Sequence, residues 1–290
     1  VTEFFVVALP LMITSAKADG HPIQAITHAG FGGGTDVTTR MMLLRTRRYL
    51  KQDMQLVNKK GGGGAASMDY MMTLPADGQH TLTWTTGHAV SMALGKTKVK
   101  LSDMQPLARG TDDPQLFVVN CKNEIKDAKK FISAQKSKSL KYGTTHVGGI
   151  DDVSAIAFTK KGKLTDPTIV PYKGVGPIKT NLIKGDIDVG VLNLGEAVTE
   201  IEDGTLCVSV VLASNRMEKL SNVPTATELG IPVVLSTVRG FVTRKGVPAD
   251  RKKQLEDAMI KAMEHKYFQS FLTDIGLDST SVVGADEWGK

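Results

Sequence analysis

The chain has 290 residues, 41% of them hydrophobic and 23% charged. That composition excludes disordered and integral-membrane classes and leaves room for one large or two ordinary domains with sizeable cores. The net charge of +6 is spread along the chain rather than gathered on one element with interleaved aromatics, so no nucleic-acid partner is expected.

Residues 4–13 (FFVVALPLMI) form an apolar run too short to span a bilayer as a helix. Ala16-x-Ala18 follows with the small-residue pattern of a signal-peptidase site, which predicts a leader over 1–18 and export. A basic n-region is missing, so a buried N-terminal strand or helix is the other reading. Neither cysteine lies near Ala18, so no lipoprotein anchor is expected. Cys121 and Cys207 are too far apart for a CxxC motif; one disulfide in an oxidising compartment and two buried free thiols both fit.

Residues 22–27 read as a strand, and Val37, Met41 and Leu44 then repeat at helical spacing. Arg45, Arg47 and Arg48 fall near the end of that helix, where the dipole favours cations. A strand at 54–58, a glycine break at 61–64, a helix at 65–74, an Asp77-Gly78 turn and a strand at 81–86 complete a β-α-β-α-β series. Such a series implies a parallel sheet with right-handed crossovers. Further strands are expected at 116–120, 140–143, 168–171, 187–191 and 207–213, with helices at 151–161 and 177–184 between them. After a segment at 233–243 come helices at about 250–266 and 268–275. The pattern predicts two α/β blocks, with boundaries near 105–116 and 231–240. C-terminal helices returning to the first block would make a two-crossover hinge over a ligand cleft. Lobe 1 is then expected over 19–112 and 238–290, and lobe 2 over 113–237.

The sharpest local feature is the turn Gly30-Phe31-Gly32-Gly33-Gly34-Thr35-Asp36 between a strand and a helix. Glycines let backbone N–H groups converge, and the helix N-terminus adds partial positive charge, so a carboxylate or phosphate is favoured there. Thr35 and Asp36 are good N-cap types, and Asp36 is suited to capping or to holding a water against an anion. A tight turn without a ligand is the alternative. The run lacks the last glycine of G-x-G-x-x-G and no Gly-Lys-Ser/Thr follows, which disfavours a nucleotide.

In order and spacing, this turn resembles the receptor component of tripartite tricarboxylate transporters, the Bug-type binding proteins. The resemblance continues through Asn58 to Ala66, Pro75-Ala76-Asp77-Gly78, Tyr142 to Gly149 and Pro171-Tyr172-Lys173-Gly174. It runs on through Gly185-Asp186-Ile187-Asp188-Val189, Val223 to Gly230 and Gly246-Val247-Pro248. It implies a two-lobed periplasmic-binding-protein fold (type II) with two Rossmann-like lobes. It also implies a small carboxylate ligand, integral-membrane permease partners, a soluble periplasmic monomer and no cofactor. Carried over, the loop Phe31, Gly32, Gly33, Gly34, Thr35 and Asp36 would hold the proximal carboxylate. Thr144, Thr145, His146 and Gly148 would close from the second lobe, and the loop around Asn193 would line the cleft. His28, Thr144-Thr145-His146 and Arg239 stand where the family often has proline, small or serine-rich residues, and an aromatic. These departures bear on the identity of the ligand.

His146 beside Gly148-Gly149 fits a donor to the ligand and equally a surface histidine. His88, expected at the carboxyl end of the first sheet, fits a ligand contact or a plain loop residue. Arg239 could grip the distal end of a ligand bidentately or pair with a protein acid such as Glu196. Trp84 and the pairs Met41-Met42 and Met71-Met72 read as core, and Asp151-Asp152 as dipole partners at a helix start. No G-x-S-x-G, no H-E-x-x-H and no metal-ligand spacing among the six histidines is present, so neither a metal nor a catalytic residue is expected. An enzyme on a similar two-lobed α/β fold acting on a small carboxylic acid remains the alternative, as does a binding protein reporting to a sensor kinase.

Overall fold

A computed structural model describes residues 21–32, 34–145 and 147–290. The expected leader at 1–18, Gly33 and His146 lie outside the described residues. In chain order the elements are β1 (Ile23–Thr27), α1 (Gly34–Leu43), α2 (Thr46–Leu50), β2 (Met54–Asn58), α3 (Ala65–Thr73), β3 (His80–Thr85) and α4 (Thr86–Ala93). Next come β4 (Met104–Pro114), β5 (Leu116–Asn120), α5 (Ala128–Ser137), β6 (Lys141–Thr144), α6 (Ile150–Lys161), β7 (Thr168–Pro171) and α7 (Val175–Lys184). The rest are β8 (Val189–Leu192), α8 (Leu194–Glu202), β9 (Leu206–Val211), β10 (Ser236–Arg244), α9 (Ala249–Met263), α10 (Lys266–Asp274), β11 (Val283–Gly284) and α11 (Ala285–Trp288).

Two sheets result, in the orders β11-β4-β10-β3-β1-β2 and β7-β6-β8-β5-β9. The expected parallel pairing holds at the heart of each, β1 with β2 and β3, and β6 with β7 and β8. Both sheets are nevertheless mixed, because β10 runs antiparallel to β3 and β4, and β5 runs antiparallel to β8 and β9. Residues 105–116, expected as a soft boundary, mostly form the 11-residue strand β4. Only Gln115 separates β4 from β5, so the chain passes from one sheet to the other almost without a break. The return passage lies alongside it. Gln115 N donates to Leu235 O at 3.0 Å, and Thr237 and Ser236 pair with Asp113 and Pro114. Two neighbouring strands therefore join the lobes.

Each sheet is covered on both faces. In the first, Ile23, Met42, Leu107, Phe241, Met259 and Phe268 pack on one side, and Ile26, Met68, Met71, Leu82 and Trp84 on the other. In the second, Phe117 stacks on Phe131 and meets Phe158 and Tyr142 edge-to-face, with ring centroids 4.9–5.7 Å away. Such pairs contribute about 0.5–1.5 kcal/mol each beyond their area. Cys121 and Cys207 are joined, tying the end of β5 to β9 across a separation of 86 residues. The open question about the thiols is thus resolved as a disulfide.

Helix α1 differs from its expected face. Val37 and Leu44 are exposed, and the inward residues are Thr38, Thr39 and Met42. The threonine hydroxyls donate back to Gly34 O and Thr35 O, at 2.8 and 2.6 Å, which satisfies them and leaves their methyl groups for packing.

Candidate functional site

The first loop leads from the carboxyl end of β1 into α1, the edge where ligands bind in open α/β sheets. Gly32 has φ +73, a left-handed conformation that favours glycine. Its N–H donates to Asp36 Oδ2 at 3.0 Å. Asp36 is buried, and it also accepts from Arg40 Nε at 2.9 Å and Asn58 Nδ2 at 3.4 Å. The Arg40 hydrogen bond, with the Gly32 and Asn58 donors behind it, holds the Asp36 carboxyl below the usual aspartate range against the opposing effect of burial. Asp36 thus lies within the first turn of α1 and braces the loop backwards, rather than standing as the cap. Phe31 is 75% exposed at the tip, with Lys60 Nζ over its ring at 5.4 Å.

The second loop leads from β6 into α6. Asp151 Oδ2 accepts from Thr145 N at 2.8 Å and Thr145 Oγ1 at 2.6 Å, and Asp152 Oδ2 accepts from Gly148 N at 2.6 Å. The acid pair does sit at the helix start, spanning its own loop. Thr144 is fully buried at the end of β6, and its Oγ1 has no hydrogen-bond partner. The loop faces lobe 1: a Cβ built on Gly148 would stand 3.4 Å from the Leu94 side chain just beyond α4.

Between the loops lies a charge cluster on the joining strands. Arg239 (β10) and Asp113 (β4) are both buried, with Arg239 Nη1 at 3.5 Å from Asp113 Oδ2. Arg239 Nε donates to Thr35 Oγ1 at 3.3 Å. Burial is the largest influence on Asp113, opposed by Arg239 and reinforced by Glu196, and its pKa is pushed up to about 7. Burial also raises Glu196, which lies within electrostatic reach of Arg239, Asp151 and Lys179. Arg239 thus stands against the N-terminus of α1, with Glu196 of α8 within electrostatic reach of it and Asp151 of α6 within reach of Glu196. Successive strand residues alternate faces, so Asp112 and Pro114 turn away, lining hollows of about 260 and 560 Å³ on the other side of the joining strands.

The structure places two of the expected ligand contacts within hydrogen-bond networks of the fold. His88 is fully buried in the first turn of α4, not in an open loop. Its Nδ1 accepts from Thr85 N at 3.0 Å, so Nε2 carries the proton and donates to Ser67 Oγ at 3.1 Å; Ser67 in turn donates to Gly64 O at 2.7 Å. A Cβ on Gly64, at φ +106, would stand 2.7 Å from the His88 ring, which explains the glycine there. The side chain of Asn193 is likewise spent on the fold: Nδ2 donates to Asp113 O and Pro114 O at 2.9 and 3.0 Å, and the residue caps α8 in a reciprocal box with Glu196. Trp84 is core, as expected, and stacks on His88. Asp113 escaped the sequence reading, because nothing local marks it and only the antiparallel pairing of β4 with β10 brings it to Arg239. Among the described residues, no cluster of three or more His, Cys, Asp or Glu could hold a metal.

Residues 38–286 match the model of the tripartite tricarboxylate transporter family receptor. The chain belongs to this family. Among curated members it is 27% identical over 220 residues to Protein BugT of Bordetella pertussis, a stretch covering 73% of this chain and 66% of that protein. Among solved structures it is similar to a TctC solute-binding protein from Polaromonas determined without ligand. The TM-score is 0.82 and the identity 25%, with 92% of each chain covered. It is also similar to MatC from Rhodopseudomonas palustris with bound malate, at a TM-score of 0.73 and 26% identity over 88% of this chain and 90% of that one. The two lobes joined by two strands are the two-lobed fold of periplasmic binding proteins, and this receptor is a member of a family of solute-binding proteins. Among the described residues no helix is long and apolar enough to cross a membrane.

Proposed function

We propose that this receptor captures a small carboxylate between its lobes outside the cytoplasm and delivers it to the integral-membrane permease subunits of a tripartite tricarboxylate-type transporter. The observation that carries the reading is the buried Arg239 guanidinium set against the first turn of α1 at the junction of the lobes. Partial positive charge from that terminus favours an anion, and a carboxylate matches a guanidinium fork. The malate bound to MatC supports the chemical class. In this reading, lobe 1 comprises 19–112 and 238–290 and lobe 2 comprises 113–237. The carboxylate meets the loop 31–36 on one side and Thr144, Thr145, His146 and Gly148 on the other.

The receptor acts as a monomer that binds without turning its ligand over. The disulfide supports an oxidising, periplasmic location, and a leader at 1–18 would provide export. Calorimetry against malate, succinate, adipate and citrate tests the reading. One acid should bind 1:1 with a dissociation constant near micromolar, about −8 kcal/mol. Chemical conversion of any of these acids, or no binding by any, would overturn it. Periplasmic material should begin at Asp19, and a first residue of Val1 would remove the leader from the proposal.

A further inference from the structure

Arg239 is held by its protein partners only loosely. The 3.5 Å to Asp113 Oδ2 exceeds the 2.7–2.9 Å of a good charge-assisted bond, and the 3.3 Å to Thr35 Oγ1 is long as well. Its Nη2 abuts the first turn of α1, where a Cβ built on Gly34 would stand 3.6 Å away. Asp113 Oδ1 is buried with no hydrogen-bond partner. A buried acid with one oxygen unserved and a slack guanidinium partner is poorly stabilised as a carboxylate.

We propose that Arg239 leaves Asp113 to grip the ligand carboxylate seated at the first turn of α1, while Asp113 takes up a proton from solvent in exchange. This rests on the carboxylate reading above. The charges around Asp113 demand the exchange. Arg239 faces it from β10 and Glu196 from α8, with Asp112 adjacent on β4. Asp112 is occupied by Arg109 Nη1 at 2.9 Å and by Ser236. Glu196 also faces Asp151 from α6 and Lys179 from α7, and Lys179 is paired with Glu200 at 2.7 Å. One buried guanidinium thus serves two carboxyls, and an incoming carboxylate adds a third negative charge that a low-dielectric site cannot hold. Asp113 is the group that yields, because Glu196 accepts the Asn193 N–H at 3.0 Å while Asp113 Oδ1 has no donor. The raised pKa of Asp113, about 7, places the exchange at the pH of the surroundings.

The test is calorimetry with malate, succinate and adipate in phosphate and in Tris at pH 7.5, two buffers whose ionisation heats differ. The wild-type protein should take up more than half a proton per ligand bound, and its affinity should fall at least fivefold from pH 6.5 to pH 8. Asp113→Asn should bind without proton uptake and with a flat pH profile. Arg239→Lys, which keeps the charge and loses the fork, should bind at least tenfold more weakly. Binding by the wild type with no proton uptake, or wild-type uptake in Asp113→Asn, would overturn the exchange while leaving the carboxylate reading in place. Binding of none of the three acids would remove both. The wild-type measurement decides the matter even where a variant does not fold.

Discussion

Arg239 and Asp113 stand on the two strands that join the lobes, and their side chains meet at 3.5 Å away from solvent. The pair bridges β4 and β10, the two strands that pass between the sheets. A buried ion pair contributes little net stability, but losing one partner strands the other charge, at a cost of about 3–5 kcal/mol. The two residues therefore form a coupled pair at the junction of the lobes.

The first expected outcome concerns pH. Asp113 has its folded-state pKa raised from 3.8 to about 7, so between those values the folded protein holds a proton that the unfolded chain has released. Stability from this residue is fully present below about pH 4 and is lost as pH rises through 7, by at most about 4 kcal/mol. Asp113→Asn should flatten that decline. Thermal melts of both proteins from pH 5 to pH 8 provide the check, and parallel curves would contradict the assignment.

Asp36 should show the opposite sign. Its pKa is lowered, chiefly by Arg40, so its contribution is present above the unfolded value near 3.8 and is lost as pH falls below it. Asp36→Ala removes the acceptor of Gly32 N, Arg40 and Asn58 and releases the loop. The apo protein should lose about 1–2 kcal/mol, and carboxylate affinity should fall by more than that loss explains. A lowered melting temperature with unchanged affinity would leave the loop a turn only.

Much of the architecture was legible because it is local. The glycine turn, the β-α-β rhythm and the helix at Ala249–Met263 announce themselves through spacing and turn residues. The long strand β4 was missed because its sequence, MQPLARGTDDP, alternates weakly and carries proline and an acid pair. Its stability comes from pairing with β10, which is distant in sequence. The site divides the same way. The turn between β1 and α1 was readable, but the bonding of His88 and Asn193 depends on Ser67, Gly64 and the Asp113 carbonyl, partners that only the fold supplies. Arg239 was singled out from its place before Gly240, while its actual acid, Asp113, was not.

The disulfide should matter for stability and little for the cleft. It closes a separation of 86 residues, a loop whose lost unfolded-state entropy corresponds to about 4.6 kcal/mol. Replacing Cys121 and Cys207 by serine should lower the melting temperature by roughly 9–18 °C, since each kcal/mol shifts a chain of this size by about 2–4 °C. Differential scanning calorimetry of the oxidised, reduced and double-serine proteins would measure it. Identical transitions would show the bridge to be idle.

His88 provides the last test, which separates fold from binding. Its ring is neutral and buried, bonded to Thr85 N and Ser67 Oγ, with its pKa held well below 6.5 by burial and then by neighbouring His28. A depressed folded pKa means that the stability it provides is present above about pH 6.5 and is lost as pH falls below it, opposite in slope to Asp113. His88→Ala would leave a cavity beside Gly64 and strand the Thr85 N–H. The expected cost is about 2–4 kcal/mol at pH 7.5, with a smaller further loss on going to pH 5.5 than the wild type shows. Since its nitrogens are spent inside lobe 1, affinity for a bound carboxylate should stay within twofold. Melting curves at the two pH values and calorimetry at pH 7.5 provide the readouts. A stable variant that has lost binding would put His88 in the ligand site, one of the two places the sequence allowed.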